Sequence, residues 1–257
     1  MNYSNICVLG TDQRMDYMAQ KFYDIGYDVY RDIKNCTETS IVVLPPPVGD
    51  VAVREVLPFL VTGKIVYGGA VSKAFICECE NRGIDVKDYL KWDNVTFKNA
   101  ILTAKGIIKE AEGIKNINQN TKCLVVGYGF CGKAIASQLK ALTNNISVLV
   151  RRKELKSDIE ATGYGFLNMK DEYIDLGEFD FIFNTVPALV LDGHMLQSAS
   201  SSNIILDIAS SPGGTDFSYC KEKNILARLS LGIPGKVYPK EAGEIIADAI
   251  IYDLNSI

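Results

Sequence analysis

The sequence is short of the residues that several kinds of chemistry require. Its 257 residues include a single histidine, His194. Catalysis that needs two histidines is therefore excluded, and any Ser-His-Asp triad would have to use His194. Cys77 and Cys79 are two positions apart with no second pair, which is not the spacing of a zinc site. We expect no metal.

Long runs of one character are also missing. No apolar run approaches the roughly 18 to 20 residues that cross a bilayer, and the start, MNYSNICVLGTD, does not resemble a secretory signal. The 27 basic residues are interleaved with 31 acidic ones, whereas nucleic-acid binding needs clustered cations. Seven cysteines, an odd number, are typical of reduced thiols. We expect a cytoplasmic protein that binds neither membrane nor nucleic acid.

Short apolar segments alternate with helical patterns, which predicts parallel sheets with helices on both faces. In the first part, the predicted strands are 6–9, 28–30, 41–44 and 64–68, and the predicted helices are 12–25, 50–61 and 72–82. A long helix is predicted over 98–117, because its apolar residues recur with a period of 3.6.

The strand–helix pattern starts again at Lys122. The predicted strands there are 123–127, 146–150, 180–185, 203–209 and 225–230, and the helices are 131–142, 153–162, 192–200, 216–223 and 240–254. The sequence therefore predicts a two-lobed α/β protein. The first domain spans 1–97 and is joined by the C-terminal helix 240–257, and the second spans 98–239.

The strongest local motif is a glycine-rich loop between a predicted strand and a predicted helix. Its residues are Gly127, Tyr128, Gly129, Phe130, Cys131 and Gly132. In dinucleotide-binding folds the first glycine makes the turn, the second admits the pyrophosphate, and the third lets helix and strand pack closely. Because a full β-α-β frame surrounds the motif, we predict a cofactor site here rather than a structural turn. Cys131 is interpreted as a small residue tolerated near phosphate.

The end of the next strand indicates which dinucleotide binds. An NAD site has an acidic residue about 20 residues beyond the glycines, where it contacts the ribose 2′-hydroxyl. This chain has Arg151 and Arg152 there. Guanidinium groups pair with a 2′-phosphate, which favours NADP(H) over NAD. A solvated basic turn is the alternative.

Two loops follow later strands of this half, where ligands bind in parallel sheets. The first contains Asn184, Thr185, Val186 and Pro187, which we expect to lie near the nicotinamide. The second runs from Asp207 to Asp216 and suits a helix cap and an anion-binding turn. Its candidates are Asp207 and Ala209 for the cofactor, and Ser210, Ser211, Gly213 and Gly214 for the substrate.

Further candidates lie near the two ends of the chain. Thr11 and Arg14 follow the first strand, where Arg14 would hold a substrate carboxylate, and Lys236 and Lys240 follow the last strand. No residue is assigned as the general base. The proton acceptors considered are His194, Asp207, Asp12 and water, and His194 is interpreted as a capping or surface residue.

These motifs together resemble the A subunits of dipicolinate synthases, sporulation enzymes that make pyridine-2,6-dicarboxylate. The segments that carry the resemblance are 10–14 (GTDQR), 127–132, 184–191 (NTVPALVL), 207–217 (DIASSPGGTDF) and 232–243 (GIPGKVYPKEAG).

The resemblance implies a flavodoxin-like first lobe and an NADP-binding Rossmann lobe. It also implies a partner, the flavoprotein-like B subunit, together with a heterocyclic dicarboxylate substrate from a branch of the lysine pathway, and the mother-cell cytoplasm. A homo-oligomer is compatible with it. Ser211, where a basic residue is expected, and Lys105, where an acidic one is expected, depart from the family pattern.

Three functions remain open on the sequence. The first is NADP-dependent oxidation of dihydrodipicolinate, or of its hydrated precursor, to pyridine-2,6-dicarboxylate. The second is a 2-hydroxyacid dehydrogenase, which is disfavoured because His194 precedes the segment 207–211 (DIASS). The third is a cofactor-binding scaffold or regulatory subunit without chemistry of its own.

Overall fold

A computed structural model describes residues 5–171 and 173–256. The chain divides into two compact units. The first combines Met1–Asn99 with Pro234–Ile257, and the second is Ala100–Ile233. Each unit is built around its own parallel sheet.

The first unit contains a five-stranded sheet in the order β2-β1-β3-β4-β5. Its strands are β1 (Asn5–Val8), β2 (Asp28–Tyr30), β3 (Ile41–Val43), β4 (Ile65–Gly68) and β5 (Asp85–Asp88). All four pairings are parallel. This is the flavodoxin-like strand order. The sequence did not predict β5, because its residues, DVKD, are mostly polar and lie at the sheet edge.

The helices of the first unit include one from each end of the chain. They are α1 (Gln13–Asp24), α2 (Asp50–Glu55), α3 (Lys73–Glu80) and, after the second unit, α9 (Pro239–Leu254). A Cβ added at Gly243 of α9 would lie 2.5 Å from the Arg14 carbonyl oxygen, so the glycine lets α9 approach α1 closely. Buried residues of α9, among them Ile246 and Ile250, join the core formed by β1, β3 and β4.

The second unit contains a six-stranded sheet in the order β11-β10-β9-β6-β7-β8. Its strands are β6 (Cys123–Val126), β7 (Ile146–Val150), β8 (Gly165–Asn168), β9 (Phe181–Asn184), β10 (Ile204–Asp207) and β11 (Leu226–Leu229). All neighbours are parallel, which gives the Rossmann strand order. The order reverses between β6 and β9, and ligands bind at such a point.

The remaining helices are α4 (Asp93–Ile114), α5 (Phe130–Leu139), α6 (Lys156–Ala161), α7 (Phe217–Glu222) and α8 (Ile233–Val237). The helix predicted over 192–200 is wrong, because only a 3-10 turn forms at Met195–Ser198. Two serines near the end of this turn form hydrogen bonds outside a helical pattern. The Ser198 hydroxyl accepts the Leu176 amide at 2.8 Å, and the Ser200 amide donates to Asn203 at 2.6 Å.

Candidate functional site

The three glycines of the loop after β6 meet three different structural demands. Gly127 has φ of 95°, in the left-handed region that favours glycine, and turns the chain out of β6. A Cβ on Gly132 would overlap the Gly127 carbonyl oxygen, so this glycine permits close packing of α5. At Gly129, by contrast, an added Cβ would meet nothing within 4 Å. The space above Gly129 is therefore open to a ligand.

The first turn of α5 offers donors to that space. Gly129 is the N-cap residue and supplies no side-chain hydrogen bond to the helix. The first amides of this ten-residue helix therefore carry the partial positive charge of a helix N-terminus. Backbone amides beside an open glycine suit a pyrophosphate.

A cleft of about 290 Å³ lies beside the loop. It includes Gly127, Tyr128 and Gly129 on one side and Arg151 and Arg152, which follow β7, on another. The rest of its lining is Val150, Leu155, Met169, Val186, Ala188 and Val190. Sequence reasoning missed Met169 because it directly follows β8, a strand that begins at a glycine and was not predicted.

The charge of this cleft comes from its two arginines. Arg151 and Arg152 are exposed, and neither forms an ion pair within the described part of the chain. Tyr128 is half-buried, with the Lys133 ammonium 5.3 Å from its ring centre. The cleft thus combines apolar walls with cations that have no counter-ion among the described residues, which suits a phosphorylated nucleotide.

The other two residues of the glycine loop differ in exposure. Phe130 is 47% exposed. Cys131 is half-buried, and burial raises the pKa of its thiol. A raised pKa is the opposite of what an activated thiolate requires, in keeping with its interpretation as a tolerated small residue.

The loop after β9 contributes backbone and apolar surface. The Thr185 hydroxyl donates to the Val126 carbonyl at 2.8 Å, which ties this loop to the end of β6. Val186 lines the cleft and Pro187 is exposed. Asn184 is fully buried, and its amide nitrogen donates to the Val186 carbonyl and to Asp207. Asn184 therefore braces the loop, and its contact with the cofactor stays a prediction.

Asp207, at the end of β10, is fully buried and holds the following loop together. One carboxylate oxygen accepts hydrogen bonds from the Asn184 side chain at 2.9 Å, the Gly214 amide at 2.8 Å and the Thr215 hydroxyl at 2.7 Å. The other accepts the Ala209 amide at 2.9 Å. With these bonds and no exposure, Asp207 is a scaffold of its loop, and its roles as proton acceptor and cofactor contact stay predictions.

The same burial revises the anion-binding turn predicted for this loop. Ala209, Gly213 and Gly214 are buried. The Gly213 amide donates to the Ser210 carbonyl at 2.9 Å, and the other two amides donate to Asp207. These donors are satisfied internally, so they do not form an anion nest. Ser210 and Ser211 remain exposed. The predicted cap is confirmed, since Asp216 accepts the Tyr219 amide at 2.9 Å and begins α7.

In the first unit, Asp12 and Arg14 form an ion pair at the start of α1. Asp12 is the N-cap residue and accepts the Arg14 amide at 2.8 Å. The Arg14 guanidinium holds the pKa of the Asp12 carboxyl below its usual value. An ion-paired carboxylate of lowered pKa stays charged at neutral pH, so Asp12 is the partner of Arg14, and its role as a proton acceptor stays a prediction.

The remaining candidates are surface residues. Thr11, Lys236 and Lys240 are exposed, and neither lysine has an ion-pair partner among the described residues. His194 lines a separate cavity of about 100 Å³ that contains none of the glycine loop.

In the described ranges no three His, Cys, Asp or Glu side chains are grouped as a metal site requires. Those ranges also contain no helix of the length and apolarity that a bilayer crossing takes.

The strand orders and the glycine loop define the class of fold: two α/β units, of which the second is Rossmann-like. The chain is similar to the A subunit of dipicolinate synthase from Bacillus subtilis (strain 168), with 33% identity over 159 residues. That match covers 62% of this chain and 54% of the relative, so it spans about half the relative's length. No family model matches the chain.

Solved structures of dipicolinate synthase A subunits and of a dehydrogenase share the fold over nearly the whole of this chain. The A chain of dipicolinate synthase from Bacillus subtilis has a TM-score of 0.88 at 24% identity, covering 100% of this chain and 97% of that one. The corresponding protein from Bacillus halodurans gives the same TM-score and identity over 98% and 97%. D-lactate dehydrogenase from Escherichia coli has a TM-score of 0.67 at 13% identity, over 98% and 97%.

Proposed function

We propose that this chain is the NADP-dependent A subunit of a dipicolinate synthase, which oxidises dihydrodipicolinate, or its hydrated precursor, to pyridine-2,6-dicarboxylate. The observation that carries the proposal is the glycine-loop cleft, with open space at Gly129 and two exposed arginines, Arg151 and Arg152, that form no ion pair with the residues the structure describes. The similarity to the dipicolinate synthase of Bacillus subtilis supports the choice of reaction.

The residues of the cleft fit a nicotinamide dinucleotide. The amides at the start of α5 would bind the pyrophosphate above Gly129, and Met169, Val190 and Leu155 would pack against the adenosine end. When bound, the cofactor would supply the hydride acceptor. The protein contributes binding and orientation.

The choice of NADP over NAD rests on charge. Arg151 and Arg152 lie at the end of β7, where an NAD site would have a carboxylate. A guanidinium binds a phosphate through paired hydrogen bonds, whereas a carboxylate would repel it. The two arginines therefore favour a ribose that carries a 2′-phosphate.

The proposed reaction balances without a further reactant. Dihydrodipicolinate loses a hydride to NADP+ and a proton to solvent, and gains an aromatic ring. Aromatisation supplies driving force, so the reaction does not demand a strong general base. Arg14 would hold one carboxylate of the substrate, with Lys236, Lys240 and Thr11 of the same unit as further candidate contacts.

The resemblance also suggests the setting. We propose that the partner is a B subunit, that the protein serves sporulation on a branch of the lysine pathway, and that it lies in the cytoplasm of the mother cell. The relative is named as one lettered subunit of its enzyme, which supports the existence of a second.

Activity on freshly made dihydrodipicolinate tests the proposal. The purified chain, with and without a B subunit, is incubated with NADP+, and both NADPH and pyridine-2,6-dicarboxylate are measured. Equal amounts of the two products are expected. Turnover by the purified chain alone would make it the catalytic dehydrogenase. Turnover only with the B subunit, at unchanged NADPH affinity of this chain, would favour the scaffold role, and turnover of 2-hydroxyacids instead would favour that dehydrogenase class.

A further inference from the structure

The Arg14 guanidinium is held from one side only. Its Nε donates to both carboxylate oxygens of Asp12, at 2.9 and 3.0 Å, and its Nη2 donates to the second oxygen. A guanidinium has five N–H donors arranged in two forks. Asp12 occupies the fork formed by Nε and Nη2. The other fork, formed by Nη1 and Nη2, has no acceptor among the described residues.

Besides Asp12, Gly235 also lies against the Arg14 side chain. A Cβ at this position would lie 2.5 Å from Arg14 Nε and 2.6 Å from Cζ, closer than real Cβ contacts. Gly235 lies in α8 and does not have a positive φ, so its backbone does not require glycine. The structural reason for glycine at 235 is therefore the space that the Arg14 side chain occupies.

The ion pair between Arg14 and Asp12 is partly shielded from water. The side chain of Arg14 is 18% exposed and that of Asp12 is 31% exposed. Partial burial strengthens the ion pair relative to a surface pair and restricts the rotamers of a long side chain. The free fork therefore has a fixed direction.

We propose that Asp12 and Gly235 are positioning residues that orient Arg14, so that its free Nη1/Nη2 fork binds one carboxylate of an aromatic dicarboxylate. This inference rests on the proposed function, which places Arg14 in the substrate site. In this inference Asp12 orients Arg14 and transfers no proton. Gly235 contributes to ligand binding by leaving space for the Arg14 side chain.

The test is a calorimetric titration of the full chain with pyridine-2,6-dicarboxylate. The variants are R14A, D12N, G235A and the double variant D12N/R14A. Asn is also a good N-cap residue, so D12N removes the ion pair and keeps the cap of α1. G235A changes no charge and tests orientation alone.

Two matched controls separate positioning from general damage. Asp32 caps a 3-10 turn by accepting the Lys34 amide at 2.9 Å, the same local geometry without an ion pair, so D32N is the control for D12N. A Cβ at Gly113 in α4 would meet nothing within 4 Å, so G113A is the control for G235A. The affinity for NADPH, whose proposed site lies in the second unit, reports on the rest of the molecule.

We expect D12N and G235A each to raise the Kd for pyridine-2,6-dicarboxylate about tenfold or more, with the NADPH Kd unchanged. R14A should raise it at least as much, and D12N/R14A should be no weaker than R14A, because Asp12 acts through Arg14. Tighter binding by D12N would overturn the inference, since Asp12 would then only neutralise Arg14. Wild-type binding by G235A would also overturn it.

Failure of the proposed function would give a different set of dicarboxylate affinities among these variants. If R14A binds the dicarboxylate as tightly as the wild type, Arg14 is not in the substrate site, and both the assignment and the inference fail. If R14A loses binding while D12N and G235A retain it, the substrate site stands and the positioning role is rejected.

Discussion

The glycine loop shows how one residue type serves three purposes within six positions. Gly127 is needed for its backbone conformation, Gly132 for the space its missing Cβ leaves to a neighbouring carbonyl, and Gly129 for the space it leaves to a ligand. Spacing and context predicted the turn at Gly127 and the close packing at Gly132, because the strand–turn–helix frame fixes where each glycine faces. The approach of a pyrophosphate to Gly129 stays a prediction. Of the three, Gly129 is the one at which an added Cβ would meet no atom of the described residues within 4 Å.

Substitution by alanine should separate these roles. We expect G129A to fold with an unchanged melting temperature but to bind NADPH at least about tenfold more weakly, because the new methyl group enters the cleft. G132A should instead lower the melting temperature, because its methyl group overlaps a backbone oxygen. Thermal unfolding and NADPH titration of both variants check this. A clear loss of stability in G129A, or none in G132A, would contradict the assignment.

Prediction from the sequence stops where burial decides which neighbours a side chain meets. The sequence identified Asp207 and Asp12 as acids at strand ends, but not which neighbours each would meet. Asp207 is enclosed by four donors from its own and the preceding loop. The support of Arg14 by Gly235 joins residues far apart in the chain, and no local pattern indicates it.

At the scale of elements, two loops act as one. The loop after β9 and the loop after β10 meet at Gly214, where a Cβ would overlap the carbonyls of Val186 and Ala188. The amides of Val190 and Leu191 donate to the Gly214 carbonyl at 3.0 and 2.9 Å. One face of this pair lines the cleft, so Asp207 shapes the proposed cofactor site through the loops it holds.

Removal of the Asp207 carboxylate should be costly. D207A leaves buried donors of Asn184, Gly214 and Thr215 unsatisfied, at about 1–3 kcal/mol each. We expect the free energy of unfolding to fall by about 3 kcal/mol or more, measured by urea denaturation. D158A, at an exposed helix position, is the control and should change it by less than about 0.5 kcal/mol. A neutral D207A would show that the carboxylate does not organise these loops.

Element prediction from sequence worked best where apolar strands are central. The predicted segments around β3, β6, β7, β9 and β10 coincide with buried strands. It missed β5 and β8, which lie at sheet edges and carry polar or glycine residues. Edge strands bury one side less fully, so their hydrophobic signal is weaker.

Over the molecule as a whole, the first unit is formed by two segments of the chain, and the second unit lies between them in the sequence. The last helix, α9, supplies Ile246, Ala247, Ile250 and Leu254 to the first unit's core. Asp253 of α9 accepts hydrogen bonds from the Tyr67 hydroxyl and the Lys87 ammonium, both at 2.6 Å. The first unit is therefore completed only when the C-terminus is in place.

A cavity in α9 should therefore weaken one unit and spare the cofactor site. Ile250 is fully buried, so I250A should cost about 2–5 kcal/mol. We expect faster hydrogen exchange in α1, β1 and β3, with an unchanged Kd for NADPH. Y252A, at a residue that is 75% exposed, is the neighbouring control. Weaker NADPH binding in I250A, with slow exchange retained in β1, would contradict this division.

We propose that the glycine-loop cleft binds NADP(H) and that Arg151 recognises the 2′-phosphate. The most direct measurement is a fluorescence titration of wild type, R151D and the exposed-arginine control R54D with NADPH and with NADH. We predict tighter binding of NADPH than NADH by wild type and R54D, and a loss of that preference in R151D. An unchanged preference in R151D would contradict the assignment of Arg151. No binding of either nucleotide by the wild type would mean that the glycine loop is structural.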